Sequence, residues 1–151
     1  MNWLVAIFSG LSAGIIATAV QLALWWAALL PVTHMLLRDS RLAAAIVMGR
    51  SVLPPPVTFA WDVMLVATLI HLALSAAYGC ALAPLISRLS LRRSMLAGAI
   101  FGLALFALNM YGFTLLFPWF DASRDWITVV AHVAFGMSAA VLYKQWQRFV
   151  L

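Results

Sequence analysis

The sequence predicts an all-α membrane protein, a four-transmembrane-helix bundle, and three observations predict it. Of 151 residues, 66% are hydrophobic and only 9% are charged, whereas a soluble domain carries about 25% charged residues. Mean hydropathy is +1.07. Four stretches each reach the roughly 20 apolar residues that cross about 30 Å of hydrocarbon. All four are expected as helices, because a lone strand leaves its backbone unsatisfied in lipid. Residues 1–151 are expected to form one transmembrane domain with no separate soluble module.

The first span runs from about Trp3 to Leu30 without a charge. No Lys or Arg precedes it, and it far exceeds the about 7–15 residues of a leader's apolar core, so we read it as a span. The outer loop, residues 31–60, is the only sizeable segment outside the spans. Within it Asp39-Ser40-Arg41 precedes Leu42 to Met48, and Gly49 follows. That pattern predicts an N-cap, two turns of helix and a glycine stop. Such a helix is too short to span and too apolar for water, so it is expected to lie in the outer interface, as a support, a lid or a docking surface. Pro54, Pro55 and Pro56 predict an extended connection. The remaining spans run from about Trp61 to Ile86, Met95 to Phe117 and Trp126 to Tyr143, and all are expected to be unbroken.

Orientation follows from lysine and arginine. Arg88, Arg92 and Arg93 crowd the segment Ser87 to Ser94, and Lys144 and Arg148 lie in the C-terminal tail. On the other side Arg38, Arg41 and Arg50 are spread through the outer loop, and Arg124 sits between Asp121 and Asp125. The denser side predicts both termini in the cytoplasm. Trp25, Trp26, Trp61, Trp119 and Trp126 then form an outer aromatic belt, with Trp3 and Trp146 at the inner interface. The basic residues form no dense run, which argues against nucleic acid as a partner. The lone Cys80 excludes an internal disulfide framework.

The spans contain a weak repeat. Gly10, Gly14 and Gln21 in the first have the same spacing as Gly98, Gly102 and Asn109 in the third. The second and fourth each carry one histidine, His71 and His132, opening similar tetrads. This predicts two helical hairpins in tandem, with the paired glycines at helix–helix contacts where missing side chains let backbones approach.

At about 1.5 Å per residue, Gln21, His71, Asn109 and His132 all lie roughly 10–15 Å below the outer edge. Polar groups at that depth usually face the bundle interior. The bland reading is a hydrogen-bonded layer that fixes helix register. A second is a haem b site with His71 and His132 as axial ligands. A third is a small solute or proton pathway. His34, at the outer mouth, is expected in solvent, and Asp62 and Asp125 are expected as interfacial helix caps. No glycine-rich phosphate loop, CxxC, HExxH or buried carboxylate pair is present, so no enzyme is expected, and no cofactor or metal site.

The stretch Arg41 to Tyr78, RLAAAIVMGRSVLPPPVTFAWDVMLVATLIHLALSAAY, resembles a group of small uncharacterised proteobacterial four-helix inner-membrane proteins, some of which carry an automatic sodium:proline symporter label. Symporters of that kind are several times longer and use broken helices at a midplane site. The resemblance therefore implies fold and location and carries no functional residue over. The expected role is a non-enzymatic accessory or scaffolding subunit, whose partners are the lipid bilayer and other membrane subunits or a second copy.

Overall fold

Asn2 starts the first helix by accepting the free amides of Leu4 and Val5 on its Oδ1, at 3.1 and 3.2 Å, as an N-cap should. The computed structural model describes residues 2–150, with side chains through residue 148. The helices are α1 (Trp3–Ala27), α2 (Val32–Met48), α3 (Trp61–Ile86), α4 (Leu91–Ala107) and α5 (Trp126–Val150). Four helical stretches, including α4 with the turns that prolong it to Leu115, are long and apolar enough to cross a membrane. This is the architecture of a multi-pass membrane protein.

Two elements differ from the sequence expectation. The first is α2, which begins at Val32 rather than after Asp39 and spans 17 residues. Pro31 suits a helix start because it has no amide to leave unpaired. The polar run that reads as a cap is instead mid-helix, because each of its side chains finds a partner outside the helical ladder or back along it. Arg38 pairs with Asp39 at 2.8 Å, and Ser40 Oγ donates to the Leu36 carbonyl at 2.8 Å. The buried Arg41 donates to the carbonyls of Val52 (3.0 Å) and Thr58 (2.8 Å) and to the Thr58 hydroxyl (3.0 Å). One guanidinium thus gathers both ends of the proline segment. Residues 53–56 consequently bend rather than run extended. Gly49 does end the helix, with φ 82°, a conformation that favours glycine.

The second difference is in the third span. Its helix begins at Leu91 and stops at Ala107, followed by a π-helical turn over Leu108–Gly112 and a 3-10 turn over Phe113–Leu115. The span is therefore broken in register near its end. Backbone groups freed there need partners in lipid, and Arg124 supplies one. Its Nε donates to the Met110 carbonyl at 2.6 Å and an Nη to Thr114 Oγ1 at 2.8 Å. The guanidinium also lies 4.4 Å from the Tyr111 ring centroid and pairs with Asp121.

Around the bundle, α1 lies between α3 and α5, and α5 lies between α1 and α4, while α3 and α4 meet only loosely. α2 crosses one end. It packs on α3 through Ala44, Val63 and Ala67 and reaches the loop before α5, where Trp119 Nε1 donates to the Leu42 carbonyl at 2.9 Å. The main core fills the other end with Leu82, Ile86, Ala139, Ala140 and Tyr143.

The glycine faces are the closest contacts. A Cβ at Gly10 would meet Ser75 and Gly79 of α3, and one at Gly98 would meet Gly136 and Ala140 of α5. A Cβ at Gly14 would meet His71 and Ser75, and one at Gly102 would meet His132 and Val133. Thus His71, Ser75 and Gly79 on α3 correspond to His132, Gly136 and Ala140 on α5, at one common offset. The two hairpins α1–α3 and α4–α5 are packed alike.

The aromatic belt is thinner than expected. Trp26, Trp61 and Trp126 are exposed, but Trp25 is buried at 3%, Trp119 is tied to α2, and Trp146 packs against the core. Only Trp3 is exposed at the opposite end.

Candidate functional site

The four polar residues chosen by depth line one cavity of about 170 Å³ between α1, α3, α4 and α5. Three of its groups form a continuous chain across three helices. Tyr78 of α3 donates its hydroxyl to Asn109 Oδ1 at 2.7 Å. Asn109 Nδ2, in the π turn after α4, lies 3.2 Å from His132 Nε2. His132 Nδ1 lies 2.8 Å from the Thr128 carbonyl, one turn earlier in α5. A carbonyl only accepts, so Nδ1 carries the proton and Nε2 accepts from the Asn109 amide; the network assigns a single neutral tautomer. The Phe106 ring stands edge-on to this imidazole, with centroids 5.7 Å apart. The chain is satisfied at every link, which at this depth is what keeps buried polar groups affordable.

The remaining pair behaves differently. His71 Nε2 lies 3.2 Å from the Gly14 carbonyl and 3.3 Å from Thr18 Oγ1. The same reasoning puts its proton on Nε2, leaving Nδ1 as a bare acceptor with no partner among the described residues. His71 is exposed and Gln21 is half-buried. Gln21 shares the cavity wall but makes no side-chain hydrogen bond among the described residues. So the layer converges, yet only its α4–α5 half is bonded.

A second cavity, of about 470 Å³, lies between α1, α2 and α3. Thr18, Gln21 and His71 line both cavities. Asp39 borders the second one from α2. Burial raises its carboxyl above the usual carboxylate range, against the opposing pull of the Arg38 cation. Ser123 donates to the same carboxyl oxygen at 3.4 Å. Of the other acids, Asp125 caps α5 by accepting the Thr128 amide at 2.8 Å. Asp62 stands in the first turn of α3 without a capping bond. His34 is exposed, as expected.

The histidine pair does not fit a haem. Ligation by both histidines needs a free imidazole nitrogen on each, but His132 has both of its nitrogens engaged. Among the described residues, no group of three or more His, Cys, Asp or Glu side chains is placed to hold a metal ion.

Sequence reasoning missed Tyr78, Thr18 and Thr128 in the layer, and Ser75, Gly79 and Gly136 opposite the glycines. The last three were detectable, since Ser75-xxx-Gly79 and Gly136-xxx-Ala140 are small-xxx-small pairs one turn beyond each histidine. Tyr78 and Thr18, which bond through their hydroxyls, and Thr128, which bonds through its backbone carbonyl, carry no comparable spacing signal. No family model, curated protein or solved structure matches the chain.

Proposed function

We propose that this protein is a non-enzymatic accessory or scaffolding subunit of a bacterial inner membrane, acting through lateral contacts with other membrane subunits or with itself. The observation that carries the reading is the bonded chain Tyr78–Asn109–His132–Thr128. It occupies the chemistry-bearing groups of α4 and α5 in fixing helix register, which leaves them no reacting partner. Large apolar side chains project from every span, among them Ile15, Leu69, Leu103 and Val130, and these suit a lipid or protein neighbour equally. A transport role is disfavoured by the dry core below the polar layer, where Leu82, Ile86, Ala140 and Tyr143 are each at most 1% exposed.

The orientation with both termini inside is supported by how the lysines and arginines are distributed. At the α2 end Arg38 and Arg124 pair with acids, and Arg41 is caged by carbonyls. All four aspartates lie at that end, and the opposite end carries five basic residues and no acid. Short segments dense in lysine and arginine are the ones retained in the cytoplasm, and Ser87 to Ser94 holds three arginines in eight residues.

The test is covalent capture in intact cells. A photoreactive residue replaces Ile15, Leu69, Leu103 or Val130 in turn. At least one position should yield a discrete adduct of defined mass, either a dimer or one repeatable heterologous product. Lipid adducts alone from all four positions would refute the scaffolding role.

A further inference from the structure

Gln21 and His71 retain unused hydrogen-bonding capacity, and both stand on the wall shared by the two cavities. At a depth of roughly 10–15 Å an unpaired amide and a bare imidazole lone pair are costly to maintain. In the second hairpin the matching residues, Asn109 and His132, satisfy each other. In the first they do not, and the space beside them is open. The larger chamber is lined chiefly by apolar side chains, including Ile15, Leu22, Leu36 and Met64, with α2 closing over it.

We infer that the joined cavities bind a neutral amphiphile, an apolar body carrying a hydroxyl group, taken from the half of the bilayer on the α2 side. The apolar body occupies the chamber under α2, and the hydroxyl sits at the shared wall. A hydroxyl suits the pair because it both donates and accepts. It donates to His71 Nδ1 and accepts from the Gln21 amide. An ether or ester oxygen only accepts and leaves Nδ1 unpaired. A carboxylate would find no free cation there, since Arg38 is committed to Asp39, and the Asp39 carboxylate beside the chamber would repel it. An ammonium would have to shed its water at a depth where that is costly. The site does not depend on the scaffolding role, because its binding is read at His71 and Gln21 whether or not a protein neighbour covers the outer faces.

The test uses the full chain in lipid nanodiscs, with dodecan-1-ol as the probe and dodecyl methyl ether as its donor-free counterpart. Selective 15N labelling of histidine gives the readout, and the His71 signal is identified by its loss in His71→Phe. Dodecanol should shift the His71 Nδ1 resonance saturably. The ether should bind at least about tenfold more weakly, the equivalent of about 1.4 kcal/mol. Gln21→Leu, which breaks no bond within the protein, should melt like the parent and lose several-fold of the alcohol affinity. Equal binding of alcohol and ether would overturn the proposal, as would the absence of a saturable shift or an unchanged affinity in Gln21→Leu.

Discussion

Replacing Gly102 by alanine should weaken the α4–α5 hairpin. The new Cβ would fall against the His132 carbonyl, with its carbon at 2.8 Å and the Val133 Cα at 2.9 Å, where real Cβ atoms keep at least 3.0 Å. These are backbone atoms, so no side chain can swing aside. The helices must separate by several tenths of an ångström along a face that Gly98 and Gly136 also hold closed. Overpacking of this kind costs about 1–3 kcal/mol. Alanine's better helix propensity returns about 0.5–1 kcal/mol, so a net loss of up to about 2.5 kcal/mol is expected, where about 1–2 kcal/mol is a factor of about 5–30 in the folded-to-unfolded ratio. Gly112→Ala is the internal control, since its Cβ meets only the tip of Leu108, at 3.3 Å. Gly14→Ala should fall between, because the Ser75 hydroxyl and the His71 ring can turn aside and only the Ser75 Cβ, at 2.9 Å, is fixed. Ala23→Leu, at an exposed position on α1, should be silent. Unfolding titrations in mixed micelles, followed by tryptophan fluorescence, give the order directly. If Gly102→Ala is as stable as Gly112→Ala, the glycine face is not a contact.

Three further outcomes follow from the same structure. In a Cys80→Ser background, a cysteine at Ser51 should react with a membrane-impermeant thiol reagent in intact cells while one at Ser90 stays protected, and the reverse pattern would invert the topology. Asn109→Leu removes the middle of the polar chain and leaves the Tyr78 hydroxyl and His132 Nε2 unpaired, so it should cost about 0.6–2 kcal/mol in the same titration; no loss would mean the chain does not hold the bundle. Arg41→Met should loosen the segment from Val52 to Thr58, leaving two carbonyls without their donor at about 1–3 kcal/mol each, and faster proteolysis in that segment is the readout.

Much of the fold is legible because lipid leaves few options. A charge-free run such as 3–27 has one stable form in hydrocarbon, and the four spans follow from that constraint alone. The glycine contacts are legible for a related reason, since in lipid the close approach of backbones replaces the hydrophobic effect as the source of helix association. Depth counting also brings Gln21, His71, Asn109 and His132 to one level: the first two and His132 are reached from a span end through largely regular helix, and Asn109 through a 3-10 and a π turn. Outside the hydrocarbon the signals fail. Asp39-Ser40-Arg41 has the composition of a cap, and its true role depends on Val52, Thr58 and Ser123, which are distant in sequence. Trp25 and Trp119 have the composition of an interfacial belt, but α2 folds back over that end and draws them inward. The π turn at Leu108 has no proline to announce it, and its stabilising partner, Arg124, lies beyond the span.

The π turn also explains why two similar hairpins end in different states. A turn wider than the α-helix shifts the phase of what it contains, so Asn109 is not simply the counterpart of Gln21. It lies between Tyr78 of α3 and His132 of α5 and bonds to both. Gln21 sits in regular helix on α1, and His71 opposite it donates to the Gly14 carbonyl instead. The same displacement bears on the loose contact between α3 and α4, which the repeat alone would make as close as that between α1 and α5. Tyr78 bridges that seam through its link to Asn109, so the third span can leave the α-helical path without parting from the second. One copy of the repeated polar pair therefore holds helices together, and the other faces open chambers with its hydrogen-bonding groups free.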